Sequence, residues 1–196
     1  MKPLFYVDLS VEASTVKHND GKPAFMPVMG RGFSILHGFF RKAPGSYAVA
    51  FPNMREGELS HPGNVIRIFG ESRDAVDTLL DNMEQHSFFK GSAYFRVSRV
   101  RPVPAGFNGS WVAYARFRVP ARNSRKPAEF RMRQLKKAEK LPYFMVSSKS
   151  TQQTFSLHVT KQQSASGNTV ENETTTDGYG LSTTEKMLYL PDLGLA

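Results

Sequence analysis

The sequence predicts an α+β fold, with a ferredoxin-like (split βαβ) N-terminal domain over residues 1–119 and a smaller basic α/β C-terminal domain over residues 120–196. Three observations predict this organisation. The N-terminal part alternates short apolar runs with amphipathic segments in the order strand, helix, strand, strand, helix, strand. A basic linker follows at residues 120–126. All of the excess positive charge lies in one segment, residues 116–161.

Two helices of the first domain are indicated by apolar residues at three- and four-residue spacings. The first is expected over Met26–Arg41, where this spacing persists despite three glycines. The second is expected to begin at residues 71–74 and to bury Val76 and Leu79. Strands rich in aromatic and β-branched residues are expected at 4–10, 47–51, 65–69, 94–103 and 111–119, with the last two paired as a hairpin.

The second domain is expected to begin with a basic helix. Pro127 suits the first turn of that helix, and Leu141-Pro142 ends it. The polar stretch 162–177 has no apolar anchors and predicts a mobile loop, after which residues 178–182 restore order. Strands are expected at residues 143–146 and 154–159.

Positive charge is concentrated in one segment. Residues 116–161 contain twelve basic and two acidic side chains and carry +10, whereas the rest of the chain has 14 basic and 15 acidic side chains and carries −1. Such a concentration favours a polyanion partner, because each phosphate contact releases counterions. A solvated basic face is the alternative. A membrane surface fits less well, because the segment lacks a broad apolar face.

Composition disfavours several classes of site. The chain has no cysteine, which excludes disulfides, thiolate nucleophiles and cysteine-ligated zinc. Its five histidines show no close pair at metal-ligand spacing, so neither a metal nor a cofactor is expected. No apolar run is long enough to span a bilayer and the N-terminus lacks a signal-peptide pattern, so a soluble, cytoplasmic protein is expected.

His37 is the candidate for proton-transfer chemistry. An RNA is cut when its own 2′-hydroxyl attacks the adjacent phosphate, which requires a base, a proton for the leaving oxygen and donors to the phosphorane. Histidine is the natural proton carrier near neutral pH, and Gly38 leaves room beside it for a substrate or another backbone. A helix histidine satisfied by a core hydrogen bond is the alternative, and from the residues alone it is the more frequent case.

A second candidate is the segment 147–155, which joins two predicted strands. It combines hydroxyls, an ammonium group and amides with the ring of Phe155, and such groups hold a ribose or phosphate and stack on a base. An ordinary hairpin loop is the alternative. Gly30-Arg31-Gly32 is only superficially similar to a phosphate-binding loop, since no Lys-Ser/Thr pair follows it.

Five motifs occur in a characteristic order. They are Leu36-His37-Gly38, Phe51-Pro52, Leu141-Pro142-Tyr143-Phe144, Ser148-Lys149-Ser150-Thr151 with the following Phe155, and Tyr179-Gly180-Leu181-Ser182. In this order and at these intervals they resemble the CRISPR repeat-RNA endoribonucleases of subtype I-F (the Csy branch of the Cas-six family). The resemblance covers most of the chain, and its most specific parts are the serine-rich loop and the closing Tyr-Gly-Leu-Ser.

The resemblance implies an endoribonuclease that binds a hairpin in precursor CRISPR RNA and cuts at the 3′ base of the stem. The reaction of that family needs no metal and leaves a 2′,3′-cyclic phosphate and a 5′-hydroxyl. By resemblance, His37 is the catalytic histidine that acts on the 2′-hydroxyl. Ser148 orients the ribose, and Tyr179 helps to arrange the site.

The resemblance also implies RNA contacts. Phe155 matches the ring that stacks under the terminal base pair, Arg116 matches the arginine that reads a guanine edge, and Arg118 falls where the family often has glutamine. The segment Val97–Val100 is similar in sequence to the strand that carries Arg116. Arg116 is preferred as the guanine-reading arginine because it lies just before the basic helix. That helix is expected to track phosphates. The further RNA-binding candidates are Lys149, Ser150, Gln153, Arg122, Arg125 and five cations expected on one broad helical face, Arg131, Arg133, Lys136, Lys137 and Lys140.

The expected partners are the CRISPR RNA repeat hairpin and other subunits of a type I-F surveillance complex, with the protein itself a monomer. Two alternatives remain open. A non-catalytic structured-RNA-binding protein needs the same charge distribution and leaves only His37, Ser148 and Tyr179 unexplained. A structural subunit of a ribonucleoprotein is compatible with the nuclease, because such enzymes usually remain on their product.

Overall fold

A computed structural model describes residues 1–12, 24–91, 94–147, 153–165, 175–183 and 186–194. Within these ranges the chain forms two antiparallel sheets and three helices, and no helix is long and apolar enough to cross a bilayer. The elements are β1 (Phe5–Val11), α1 (Met26–Phe40), β2 (Tyr47–Ala50), β3 (Val65–Gly70), α2 (Arg73–Gln85), β4 (Phe95–Val97), β5 (Arg101–Pro102), β6 (Trp111–Phe117), α3 (Ala128–Ala138), β7 (Tyr143–Ser147), β8 (Thr154–Ser164) and β9 (Leu190–Pro191).

The first sheet has the strand order β2-β3-β1-β4, and β5 also pairs with β1. Helix α1 connects β1 to β2 and α2 connects β3 to β4, which is the ferredoxin-like order. Helix α2 begins where the Ser72 hydroxyl accepts a hydrogen bond from the amide of Ala75, and it buries Val76 and Leu79. The predicted α+β, ferredoxin-like fold is confirmed.

Helix α1 packs against both sheets, and its glycines allow the close approach. A Cβ atom on Gly30 would lie 2.4 Å from the carbonyl oxygen of Met145 in β7. A Cβ atom on Gly32 would lie 2.6 Å from the ring of Phe95 in β4. The helix predicted over Met26–Arg41 is therefore confirmed, and two of its three glycines serve packing rather than breaking the helix.

The predicted hairpin between residues 94–103 and 111–119 is wrong. The first segment is split into β4 and β5, which both pair with β1, because the Ser98 hydroxyl accepts the amide of Asp8 and interrupts the ladder. Strand β6 instead joins a second sheet of order β7-β8-β6-β9. All of Val112–Ala115 is buried, as expected for a strand covered on both faces. The division into domains at residue 119 stays a prediction.

The predicted mobile loop over residues 162–177 is wrong at both of its ends. Strand β8 continues to Ser164, because Lys161–Gln163 pair with the buried Tyr114–Val112 stretch of β6 and need no apolar anchor of their own. At the other end, the Thr176 hydroxyl donates to the carbonyl oxygen of Tyr47 at 2.7 Å. Residues 166–174 lie outside the described part of the chain.

The segment 176–182 ties the two sheets together. The amide of Val49 in β2 donates to the carbonyl oxygen of Gly180 at 2.9 Å, at the free edge of the first sheet. Ser182 pairs with β6 of the second sheet, accepting from the amide of Arg116 and donating its amide to Tyr114. The closing Tyr-Gly-Leu-Ser motif therefore lies at the junction of the sheets, beside α1.

Candidate active site

His37 lies in the last turn of α1 and is half-buried. Its Nδ1 atom is 2.5 Å from the carbonyl oxygen of Gly178. A carbonyl oxygen can only accept, so Nδ1 carries the proton and, in the neutral ring, Nε2 is left with a free lone pair. The alternative raised by the sequence, a histidine satisfied by a hydrogen bond, applies to Nδ1, whereas among the described residues no hydrogen bond to Nε2 is present.

The ring of Tyr179 stacks on the imidazole of His37. The two ring centroids are 3.9 Å apart and the planes differ by 7°. Tyr179 is buried and also contacts Phe33 of α1. Burial raises the pKa of the Tyr179 phenol, and the nearby guanidinium of Arg116 acts in the opposite direction. The phenol is therefore protonated near neutral pH, and its ring holds the imidazole in place.

Arg116 extends from β6 toward the same group of side chains. Its guanidinium carbon is 5.4 Å from the ring centroid of Tyr179 and 5.6 Å from that of Phe155. Both distances are typical of cation–π contacts. Burial lowers the pKa of Arg116, as does the neighbouring Arg118, but a guanidinium remains charged at neutral pH. Arg118 itself is exposed just beyond the end of β6.

The segment Val97–Val100, which imitates this strand in sequence, lies elsewhere. It begins in β4, at the opposite edge of the first sheet from β2, where Ser98 bonds to the backbone of Asp8. Arg99 within it is exposed. Of these two arginines, Arg116 is the one that contacts Tyr179.

Strand β7 brings the serine-rich segment to α1. The amide of Ser147, the last residue of β7, lies 3.3 Å from the hydroxyl oxygen of Ser34, three residues before His37. The Ser34 hydroxyl in turn donates to the carbonyl oxygen of Gly30 at 3.0 Å. Three predicted site residues that follow Ser147 lie outside the described residues, namely Ser148, Lys149 and Ser150.

Phe155 and Gln153 lie on the far side of this segment. Phe155 is half-buried in β8, where it pairs with Val146 of β7. Its ring contacts the guanidinium of Arg116. Gln153 is exposed immediately before β8. The structure therefore brings His37, Tyr179, Arg116 and Phe155 into one continuous row of ring and guanidinium contacts.

The basic surface adjoins this row through β6 and the linker. Arg122 and Arg125 of the linker are exposed. The predicted common face of the basic helix is wrong for Arg131, which lies on the other side of α3, half-buried, and donates from Nε to the carbonyl oxygen of Pro120 at 3.1 Å. The exposed cations of this helix and of the turn that follows it are Arg133, Lys136, Lys137 and Lys140.

A separate open pocket of about 550 Å³ lies beside the start of α1 and the β2–β3 connection. Among the residues that line it, Asn53 donates to Asn64, and His61 accepts from the amide of Gly63 nearby. None of the predicted site residues lines it.

Sequence reasoning missed Asp177 and Gly178, although both belong to the site. The Gly178 carbonyl holds His37, and one carboxylate oxygen of Asp177 accepts the amides of Tyr179 and Leu181. The dipeptide Asp-Gly before the closing motif is a turn signal, but a turn signal does not reveal which side chain its carbonyl will meet.

One known protein family matches most of the chain. The model of the family described as CRISPR-associated protein (Cas_Csy4) matches residues 19–187. No curated protein matches the chain. The matched range contains His37, Arg116, Phe155 and Tyr179. The chain therefore belongs to the Csy4 family of CRISPR-associated proteins, of subtype I-F, and has a role in RNA processing.

Proposed function

We propose that the protein is a metal-independent endoribonuclease that binds a hairpin in precursor CRISPR RNA and cuts at the 3′ base of its stem. The RNA's own 2′-hydroxyl is the nucleophile. The products are a 2′,3′-cyclic phosphate and a 5′-hydroxyl. The stem remains bound after the cut.

The observation that carries the proposal is the contact between His37 and the closing motif. Helix α1, the Tyr179 turn, β6 and β8 each contribute one member of the row, so four distant parts of the chain converge on one place. A protein that binds RNA without cutting it could use Arg116 and Phe155 to contact the RNA. It has no need of an imidazole whose neutral form is held in one tautomer by a carbonyl oxygen.

In the proposed reaction, Nε2 of His37 takes the proton of the 2′-hydroxyl. The 2′-oxygen then forms a bond to phosphorus and the bond from phosphorus to the 5′-oxygen breaks. The 5′-oxygen takes up a proton from solvent, and the imidazolium returns one to solvent, so protons balance. The charge of Arg116 lies near the row and is available to stabilise the phosphorane or to read a guanine edge.

The proposed roles of Ser148, Lys149, Ser150 and Gln153 follow from the family resemblance together with the position of β7. Ser147 is anchored to α1 one turn before His37, and Ser148 is the next residue along the chain. We propose that Ser148 orients the ribose whose 2′-hydroxyl reacts with His37. The other three are proposed to contact the RNA near the cut.

The exposed cations of α3 and the linker supply the proposed grip on the stem. We propose that they raise affinity by contacting phosphates and take no part in the chemistry. A product held in this way stays on the protein. We propose that the protein, as a monomer, then serves as a subunit of a type I-F surveillance complex.

The direct test is the RNA that copurifies with the expressed protein, sequenced with its end chemistry determined. A hairpin ending in a 2′,3′-cyclic phosphate, regenerated when the purified protein cuts a longer transcript in chelator, is the expected result. Bound hairpin RNA that is never cut would contradict the nuclease and support a non-catalytic binder. Rapid release of product would contradict the role as a retained subunit.

A further inference from the structure

We propose that Asp177 is a positioning residue for His37, acting through the backbone of the turn that begins at Asp177. The inference rests on the proposed function, because it concerns how the proposed base is held. In this role Asp177 acts through its hydrogen bonds to the backbone of the turn. It acts by fixing the two groups that hold the imidazole, the Gly178 carbonyl and the Tyr179 ring.

The turn is closed by hydrogen bonds from Asp177 itself. Its Oδ1 atom accepts the amide of Tyr179 at 2.8 Å and the amide of Leu181 at 3.1 Å. Its backbone amide donates to the carbonyl oxygen of Leu181 at 2.8 Å, and its carbonyl oxygen accepts the amide of Gly180 at 2.9 Å. Gly180 has a φ of +73°, which an L side chain rarely adopts. Glycine at position 180 therefore permits the turn, and the Asp177 side chain holds it closed.

Both groups that hold His37 lie inside this turn. The Gly178 carbonyl accepts from Nδ1 of His37 in the plane of the ring, and the Tyr179 ring covers one face of the imidazole. The fit is close, since a Cβ atom on Gly178 would lie 2.9 Å from Cε1 of His37. Rotation of the Gly178 peptide would therefore remove the acceptor and disturb the stack together.

The direction of the Gly178 carbonyl decides which nitrogen of His37 is the base. With the acceptor in place the neutral ring keeps its proton on Nδ1 and presents Nε2. Without the acceptor, either nitrogen can carry the proton, and molecules with the proton on Nε2 cannot accept one there. The cleavage rate then falls while the RNA-binding surface is left unchanged.

Asp177 could hold the turn through the charge of its carboxylate or through the hydrogen bonds that its oxygen accepts, and substitutions separate the two effects. Among the described residues, the titratable and charged groups around the turn are Arg116, Tyr179, His37 and Arg41. The Cγ atom of Arg41 would lie 3.4 Å from a Cβ atom on Gly178. Burial lowers the pKa of Arg116, and the charge of Asp177 acts in the opposite direction. Asparagine keeps an oxygen that accepts both amides but removes the charge. If hydrogen bonding is what matters, Asp177→Asn preserves the site and Asp177→Ala does not.

The experiment compares the full-length parent with Asp177→Asn, Asp177→Ala and the control Asp81→Ala, an exposed acid on α2. Single-turnover cleavage of a longer transcript that contains the copurifying hairpin, and the Kd for that hairpin, are measured for each protein. Proton–nitrogen correlations of the His37 ring, recorded on ¹⁵N-labelled protein without RNA, report which nitrogen is protonated.

We expect Asp177→Ala to cut about 10- to 100-fold more slowly, because misplacement of a base by about 1 Å has an effect of this size. Its Kd should stay within about threefold of the parent's, since kinetic loss without binding loss marks a group acting only in the reaction. The Nδ1–H signature of His37 should be lost in Asp177→Ala and kept in Asp177→Asn and Asp81→Ala. If Asp177→Ala does not fold, Asp177→Ser, whose hydroxyl accepts one amide, takes its place.

An unchanged His37 signature in Asp177→Ala, or cleavage at the parental rate, would overturn the positioning role. A parent protein that cuts no RNA would instead overturn the proposed function. The imidazole spectra still decide the positioning role in that case, because they are recorded without RNA.

Discussion

His37 and Tyr179 lie face to face, with their ring centroids 3.9 Å apart and their planes 7° from parallel. The stack joins the last turn of α1 to the segment that bridges the two sheets. It fixes the plane of the imidazole, and the Gly178 carbonyl then fixes the rotation of the ring within that plane. His37 is thereby oriented before any RNA arrives, which is the condition for efficient general base catalysis.

The phenol of Tyr179 should be dispensable, whereas its ring should not. Burial raises the pKa of this phenol above its ordinary value, so it stays protonated below about pH 10 and does not act as the base. We expect Tyr179→Phe to cut at nearly the parental rate with the same pH–rate profile. Tyr179→Leu should cut about 3- to 10-fold more slowly, because an aromatic pair contributes about 0.5–1.5 kcal/mol. Loss of the alkaline part of the profile in Tyr179→Phe would contradict this assignment.

Two glycines of α1 should respond oppositely to the same substitution. Gly30→Ala should lower the free energy of unfolding by about 1–3 kcal/mol, because the added methyl group meets the backbone of Met145. Gly38→Ala has open space around the new Cβ atom and should raise the free energy of unfolding by about 0.5–1 kcal/mol through helix propensity. Urea denaturation of the two variants measures both effects. Equal effects of the two substitutions would show that α1 does not pack on β7 as described.

Arg116 should matter for recognition more than its neighbour Arg118. We expect Arg116→Ala to weaken hairpin binding by about 1–3 kcal/mol, the usual contribution of a bidentate contact to guanine. Arg116→Lys should not restore binding, because an ammonium group lacks the planar fork. Binding measured at one salt concentration, with the basal G·C pair of the stem in its natural and inverted forms, provides the test. If Arg116→Ala still discriminates between the two forms, the guanine is read elsewhere.

The exposed cations of α3 should set the salt dependence of binding. Replacing both Lys136 and Lys137 by Gln should lower the slope of log K against log salt by about 1.5–2, if each contacts one phosphate. Arg131→Gln is the matched control on the same helix. It should leave the slope unchanged and lower the melting temperature, because the bond to Pro120 is lost. An unchanged slope in the double variant would remove α3 from the RNA interface.

Much of the N-terminal fold could be predicted because its signals are local. The apolar spacing predicted α1 despite its glycines. The structure places the starts of α2 and α3 directly after Ser72 and Pro127, as predicted. The predictions that were wrong concern the pairing of strands that are far apart in the sequence. Strand β6 follows β5 closely in sequence but pairs with β8, and no local pattern reveals the partner of a strand that is buried on both faces.

In the candidate site too, residues that belong to sequence motifs were predicted, whereas residues that act through distant contacts were not. The residues of the row were identified from family motifs, whereas Asp177 and Ser34 emerged only from contacts across the fold. Arg131 was placed with the other helix cations because composition counts charges without regard to helical angle. In the structure its guanidinium bonds to the linker backbone instead.

Single-turnover cleavage in chelator measures whether His37 is the base in RNA cleavage. The proteins compared are the parent, His37→Ala and the control His61→Ala, which changes a half-buried histidine in the separate pocket. His37→Ala should bind the hairpin as the parent does but cut its transcript at least about 100-fold more slowly, the lower end of the contribution of a general base. His61→Ala should cut at the parental rate. Cleavage by His37→Ala as fast as by the parent would show that His37 is not the base.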